Sequence, residues 1–193
     1  MQEEIHHHYI LHKPYGYLSQ FVNNQNKRKN KKLLGELCHF ANGTMAIGRL
    51  DETSEGLLLL TTDGQVSNYI TSHRVEKEYY VQVDGIVTED AIAKLREGLI
   101  ISVNSKPYQT KSCDIITVDH LNDYPIEKRY VRDERHGPTS WISITLTEGK
   151  FRQVRKMTAA VGFPTLRLVR VRIGSIKLRL NAGEVQAVNS FNL

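Results

Sequence analysis

Three short segments hold side chains whose types and spacing could do chemistry. The first is Gly48-Arg49-Leu50-Asp51-Glu52-Thr53-Ser54-Glu55-Gly56. It is a polar loop bracketed by glycines, with one arginine and three carboxylates, and it runs straight into Leu57-Leu58-Leu59-Leu60. A polar loop mounted on a rigid strand is a usual place for reacting groups, and Asp51 is the candidate here. A carboxylate can act as a nucleophile or stabilise positive charge that develops on a sugar. The plainer fate of such a residue is to cap a turn. Asp51 and Glu55 could also form a glycoside-hydrolysing pair, although 8% aromatic residues and a single tryptophan are little for a sugar platform. The second segment is Lys77-Glu78-Tyr79-Tyr80. A tyrosine can stack on a nucleobase and carry a hydroxyl to it, or simply alternate faces on a half-buried strand. The third is Arg152-Gln153-Val154-Arg155-Lys156, which is either a solvated basic face or one that meets an anion.

The elements that must hold these segments can be read from periodicity and punctuation. The four leucines read as a short, fully buried strand. Asp63-Gly64 ends it, with Asp63 able to cap a helix over Gln65 to Thr71. Before it, Tyr9 to Leu11 reads as a strand entering the turn His12-Lys13-Pro14-Tyr15-Gly16, and Leu33 to Phe40 as a short helix. Glu78 to Asp84 alternates around Tyr79, Val81 and Val83, as a half-buried strand does. Thr88 caps a helix over Glu89 to Glu97, closed by Gly98. Leu99 to Val103, Ser112 to Val118, Ile142 to Leu146, Leu166 to Arg172 and Ile176 to Leu180 read as further strands, and Asp119 to Pro138 as an exposed loop. The clearest helix runs from Lys150 to Val161, with Gly162 and Pro164 as its stop. Its cations Arg152, Arg155 and Lys156 oppose the helix dipole in the first turns, which suggests that they face an anion. Frequent strand–strand steps and no regular βαβ series favour an α+β fold with a mostly antiparallel sheet. Residues 1–8 read as a flexible segment ahead of one domain over 9–193.

Charge narrows the partner. The 193 residues carry a net charge of +5. Nine Lys or Arg and no acid fall between Lys150 and Leu180, and a second cluster spans Lys27 to Lys32. Two clusters of one sign point to nucleic acid. No apolar run approaches the roughly 18 residues of a membrane span. Cys38 and Cys113 lack the spacing of a zinc site or a disulfide scaffold, and a cytoplasmic setting fits. His6-His7-His8 has no carboxylate spacing for a metal, and no Gly-rich phosphate loop is present.

Taken together and in order, Gly48-Arg49-Leu50-Asp51 with Gly56 to Gly64, Lys77-Glu78-Tyr79, and Glu148-Gly149-Lys150-Phe151-Arg152-Gln153-Val154-Arg155-Lys156-Met157 resemble the RsuA family of ribosomal RNA pseudouridine synthases. The resemblance runs from about Tyr9 to Ala187. It is strongest to the subgroup that acts on large-subunit RNA without an N-terminal S4 RNA-binding domain, and only a dozen residues precede Lys13-Pro14 here. The resemblance implies a bilobal catalytic domain with flanking helices that turns a uridine of 23S rRNA into pseudouridine after flipping it from its stack. It assigns catalysis to Asp51, to Tyr79 stacked on the uracil, and to Arg155 paired with the aspartate, since a nearby cation holds a sheltered carboxylate in its charged form. RNA contacts are expected at Lys13, Arg49, Lys77, Arg152, Gln153 and Lys156. No metal or cofactor is implied, and a monomer is expected. A non-catalytic RNA-binding protein on the same fold is the alternative. His12, Thr62 and Phe151 depart from the common family pattern.

Overall fold

The structure, a computed structural model, describes residues 5–22, 30–72 and 75–193. The leucine run forms the middle of it. Strand β1 (His8–Lys13), β2 (Met45–Ile47) and β3 (Glu55–Thr61) come first, then helix α1 (Gly64–Thr71). Next are β4 (Lys77–Asp84), α2 (Glu89–Glu97), β5 (Ile100–Val103), β6 (Lys106–Gln109) and β7 (Asp114–Val118). The chain ends with β8 (Thr139–Leu146), α3 (Gln153–Ala160), β9 (Thr165–Ile173), β10 (Ile176–Lys177) and β11 (Val185–Val188). The main sheet runs β11-β1-β3-β9-β4-β8-β7, with β2 also on β3 and β10 also on β9; β5 and β6 form a separate hairpin. Among the described residues every pairing in it is antiparallel except β3 with β9. The expected α+β fold with a mostly antiparallel sheet is therefore what the chain adopts.

Leu57 to Leu60 can be continuously apolar because both faces of β3 are covered. Leu57 and Leu59 enter one core with Ile70, Val169 and Val171, while Leu58 and Leu60 enter another with Leu11 and Leu34. All four leucines have no exposed surface. A third core lies under α2 and α3, where Leu95 and Met157 meet Val81, Ile142 and Leu168. The β3–β9 seam is short, pairing Glu55 with Val169 and Gly56 with Arg170. At φ +105° a Cβ on Gly56 would lie 2.3 Å from the Arg170 carbonyl oxygen. Glycine is thus required for the strands to meet, and the Asp51 loop enters the sheet at this point.

The caps act as read. Asp63 accepts from the Gln65 and Val66 N–H groups at 2.7 and 3.2 Å. Thr88 accepts from Ala91 N–H, and Gly98 closes α2 at φ +89°.

Several boundaries differ. The helix expected from Lys150 starts only at Gln153, because Arg152 takes a left-handed backbone (φ +54°) and Lys150 N–H donates to the Gln153 side chain. Arg152 therefore precedes the helix and does not oppose its dipole from within. Leu33 to Phe40 contains only a 3₁₀ turn, Leu34–Glu36. The segment expected to be flexible up to residue 8 is already engaged at His7, whose N–H donates to Thr62 Oγ1, and at His8, which opens β1 and bonds Thr61. The tail supplies β11. The 119–138 loop is partly buried: Tyr124 meets Tyr80 edge-on at 5.1 Å. Of the basic cluster near the N-terminus, Lys27 to Lys29 lie outside the described residues.

Candidate active site

The Asp51 loop is fastened on both sides of its carboxylate. Ahead of it, Ser19 Oγ donates to Leu50 O at 2.8 Å and accepts from Leu50 N–H at 3.0 Å. Gly16 N–H holds Glu52 O, and Ser54 N–H closes a tight turn onto Asp51 O. Behind it, Glu55 is 5% exposed and takes two bonds from Arg167 at 2.7 and 3.0 Å and one from Arg129 at 3.1 Å. These cations occupy the Glu55 carboxylate, so it cannot serve as a partner acid to Asp51. The glycoside-hydrolase pairing weighed from sequence is thereby set aside.

Two arginines flank the Asp51 carboxylate. Arg152 Nη1 donates to Oδ2 at 2.9 Å. Arg155 Nε lies 3.8 Å from the same oxygen, within ion-pair range but beyond a hydrogen bond. The Arg155 Nη2 group donates to Thr53 O at 3.1 Å and Ser54 Oγ at 3.2 Å, and so grips the loop. Its Nε is buried with no hydrogen-bond partner among the described residues. Burial pulls the Arg155 pKa down, Arg152 adds to that, and Asp51 partly offsets it. Both cations thus stand by the aspartate, with the nearer contact made by Arg152.

These groups form one side of a cleft whose floor is Leu146, Val154, Leu168 and Tyr79. Tyr79 projects from β4 between Ile144 on β8 and Arg170 on β9. Arg49 and Lys150 stand at the rim. The cleft thus combines the Asp51 carboxylate, a second and buried carboxylate in Glu148, an aromatic ring, an apolar floor and a cationic edge. That combination suits a flat heterocycle attached to an anionic backbone.

The wall at the start of α3 is held by Glu148, which opens the third motif and has no role assigned to it from sequence. Glu148 is 2% exposed and accepts from Tyr108 Oη at 2.6 Å, Lys111 N–H at 2.9 Å and the Gln153 amide. Burial alone would raise its pKa, but these bonds outweigh it and the net shift is downward. A depressed carboxylate stabilises the fold above the unfolded glutamate value of about 4.3 and loses that contribution as pH falls through its folded value. Glu148→Gln is expected to lose about 1–2 kcal/mol at pH 7 and less at pH 3.5, below the unfolded glutamate value of about 4.3, measured by urea denaturation at both values. An equal loss at both would contradict the assignment.

Of the expected RNA contacts, Lys13, Lys77 and Gln153 are turned to partners within the chain, and Lys156 stands outside the cleft. Lys13 has no exposed surface, and its ammonium donates to Pro14 O and Tyr17 O at 2.9 and 2.7 Å. Burial brings its pKa down to about 8. Lys77 donates to Val75 O at 2.8 Å and is likewise brought to about 8 by burial, with Arg170 adding to it. Gln153 is 3% exposed and spent on Glu148 and Lys150. Lys156 lies outside the cleft, its ammonium 5.3 Å from the Phe151 ring centroid. Arg49 is exposed at the rim, and Arg152 is both at the rim and on Asp51. Residues missed from sequence are Ser19, Ser54, Arg129 and Glu148. The bonds of Ser19, Arg129 and Ser54 to the site span 31, 74 and 101 positions, beyond the reach of any local pattern, while Glu148 stands in the third motif with no role of its own.

Known proteins resemble this chain in sequence and in fold. The RNA pseudouridylate synthase family model matches residues 7–160. A protein of Xanthomonas axonopodis pv. citri named ribosomal large subunit pseudouridine synthase E is 40% identical over 88% of this chain and 86% of its own length. One of the same name from Vibrio parahaemolyticus is 40% identical over 88% of this chain and 68% of its own. A crystal structure of a pseudouridylate synthase superposes with TM-score 0.73 at 26% identity, covering 97% of this chain and 72% of that one.

Proposed function

The chain belongs to the RNA pseudouridylate synthase family and is an isomerase, and from that premise we propose that it converts one uridine of large-subunit ribosomal RNA to pseudouridine, with Asp51 as the essential carboxylate. The observation that carries the site assignment is the Asp51 carboxylate held between Arg152 and Arg155 in the same cleft as Tyr79. A stacked uridine cannot bring its sugar to a carboxylate set in a cleft, so the nucleotide leaves its stack and enters the cleft. Its ring lies against Tyr79 and the apolar floor. Asp51 serves C1′, where positive charge develops as the N1–C1′ bond breaks. The freed ring turns, C5 bonds to C1′, the C5 proton departs and N1 takes up a proton, so the product is an isomer of the substrate. Tyr79 is placed at the base for the proton step at C5. Arg49 and Arg152 meet the flanking phosphates, and the enzyme acts as a cytoplasmic monomer.

The test is to map pseudouridine across ribosomal RNA from a strain that lacks the gene and from the same strain complemented with it. One large-subunit site is expected to be lost and then restored. Loss of a small-subunit or transfer RNA site would overturn the substrate assignment, and no lost site would overturn the activity in the cell.

A further inference from the structure

Consecutive side chains at the mouth of the cleft go to different places. The left-handed backbone at Arg152 (φ +54°) lets that guanidinium reach Asp51. Phe151, one residue earlier, stays outside with 66% of its surface exposed, more than any other aromatic ring beside the cleft. It lines a shallow outer groove with Ile100, Ser102, Asn104, Lys156 and Ala160. The far wall is the turn of the β5–β6 hairpin, where Asn104 and Ser105 both take positive φ. Ile100 is also 65% exposed. Among the described residues no acidic one lines this groove. Lys156 covers the ring, Lys150 and Arg152 flank it in sequence, and Lys106 follows the turn.

Phe151 and Ile100, both mostly in water, line one groove, so the ring belongs to an exposed apolar patch and is not a lone surface side chain. A ring among cations with no anion fits a ligand that is flat and apolar on its face and anionic along its edge. A nucleotide has that chemistry, since its base stacks and its phosphate is neutralised. We propose that Phe151 is a stacking platform for an unpaired base flanking the target uridine. This rests on the RNA substrate proposed above and adds a contact that selects for a single-stranded neighbour. Lys156, displaced from the cleft itself, then serves the phosphate of that neighbouring nucleotide.

Binding is measured by fluorescence anisotropy with two probes of equal length, a labelled oligouridylate and a labelled abasic oligonucleotide that keeps the phosphates. Phe151→Ala is expected to weaken the oligouridylate about tenfold or more and to leave the abasic probe within twofold, while Phe151→Trp keeps wild-type affinity for both. Unchanged oligouridylate binding in Phe151→Ala, or equal weakening of both probes, would overturn the proposal. So would displacement of the oligouridylate by polyglutamate at equal charge concentration in wild type but not in Phe151→Ala, which would mark an acidic-peptide site. Concentration-dependent sedimentation abolished by Phe151→Ala would instead mark a contact between copies of the chain, and would also overturn it. The readout does not use turnover. Absence of pseudouridine would therefore defeat the functional reading alone, and absence of probe discrimination would defeat this inference alone.

Discussion

Asp51→Asn is expected to lower pseudouridine formation by about three orders of magnitude or more while RNA binding stays within a few-fold of wild type. The substitution keeps the shape of the side chain and an oxygen that can accept from Arg152. It removes the negative charge that serves C1′, and nothing nearby replaces it. Glu52 is turned to Lys31 and Glu55 is enclosed by Arg167 and Arg129. RNA affinity has no reason to fall, because the cleft loses a negative charge and keeps its cations. The measurement is tritium release from RNA labelled at uridine C5, run beside filter binding of the same transcript. Turnover within tenfold of wild type would sink the assignment. So would a loss of binding that matches the loss of turnover, since Asp51 would then act in binding.

The sequence carried the parts of this site whose physics is local. Leu57 to Leu60, the Asp63 cap and the Thr88–Gly98 helix are set by patterns of a few residues, and they stand where those patterns put them. Asp51 and Tyr79 are candidates because a bracketed loop and an alternating strand are local as well, and the family resemblance is what singles them out. Local rules failed where the partner is remote. The apolar spacing of α3 continues back to Lys150, yet the bonds among Glu148, Lys150 and Gln153 unwind its first turn. Strand β6 contains Pro107 and was invisible as a strand. Pro107 is tolerated because the hairpin pairs it with Ser102 alone and has no further strand beyond. Strand β11 is four residues long and forms on the edge that β1 offers. Lysine is rarely buried, so Lys13 read as a surface cation. Two carbonyls of its own turn satisfy its ammonium, and it fastens the turn instead.

The same distinction between local and remote physics separates the two arginines on Asp51. Arg152 has 41% of its side chain exposed, so water and salt screen its ion pair. Arg155 has 13% exposed and donates to Thr53 O and Ser54 Oγ, on the two residues after the Asp51–Glu52 turn. Its charge is worth more where water is excluded, and its fork fixes the geometry of the loop. Arg155→Ala is expected to cut kcat on the order of a hundredfold or more and to change the Kd for RNA by less than about threefold. Arg155→Lys should recover little, since one ammonium cannot span Thr53, Ser54 and Asp51 as a planar fork does. Arg152→Ala should do the reverse, weakening RNA binding and lowering its salt slope by about one, with kcat reduced less than in Arg155→Ala. Single-turnover rates at saturating enzyme, together with binding between 50 and 200 mM salt, separate the two effects. If Arg152→Ala proves the more damaging to kcat, the 2.9 Å contact is the one that matters to catalysis, and Arg155 is left with holding the loop.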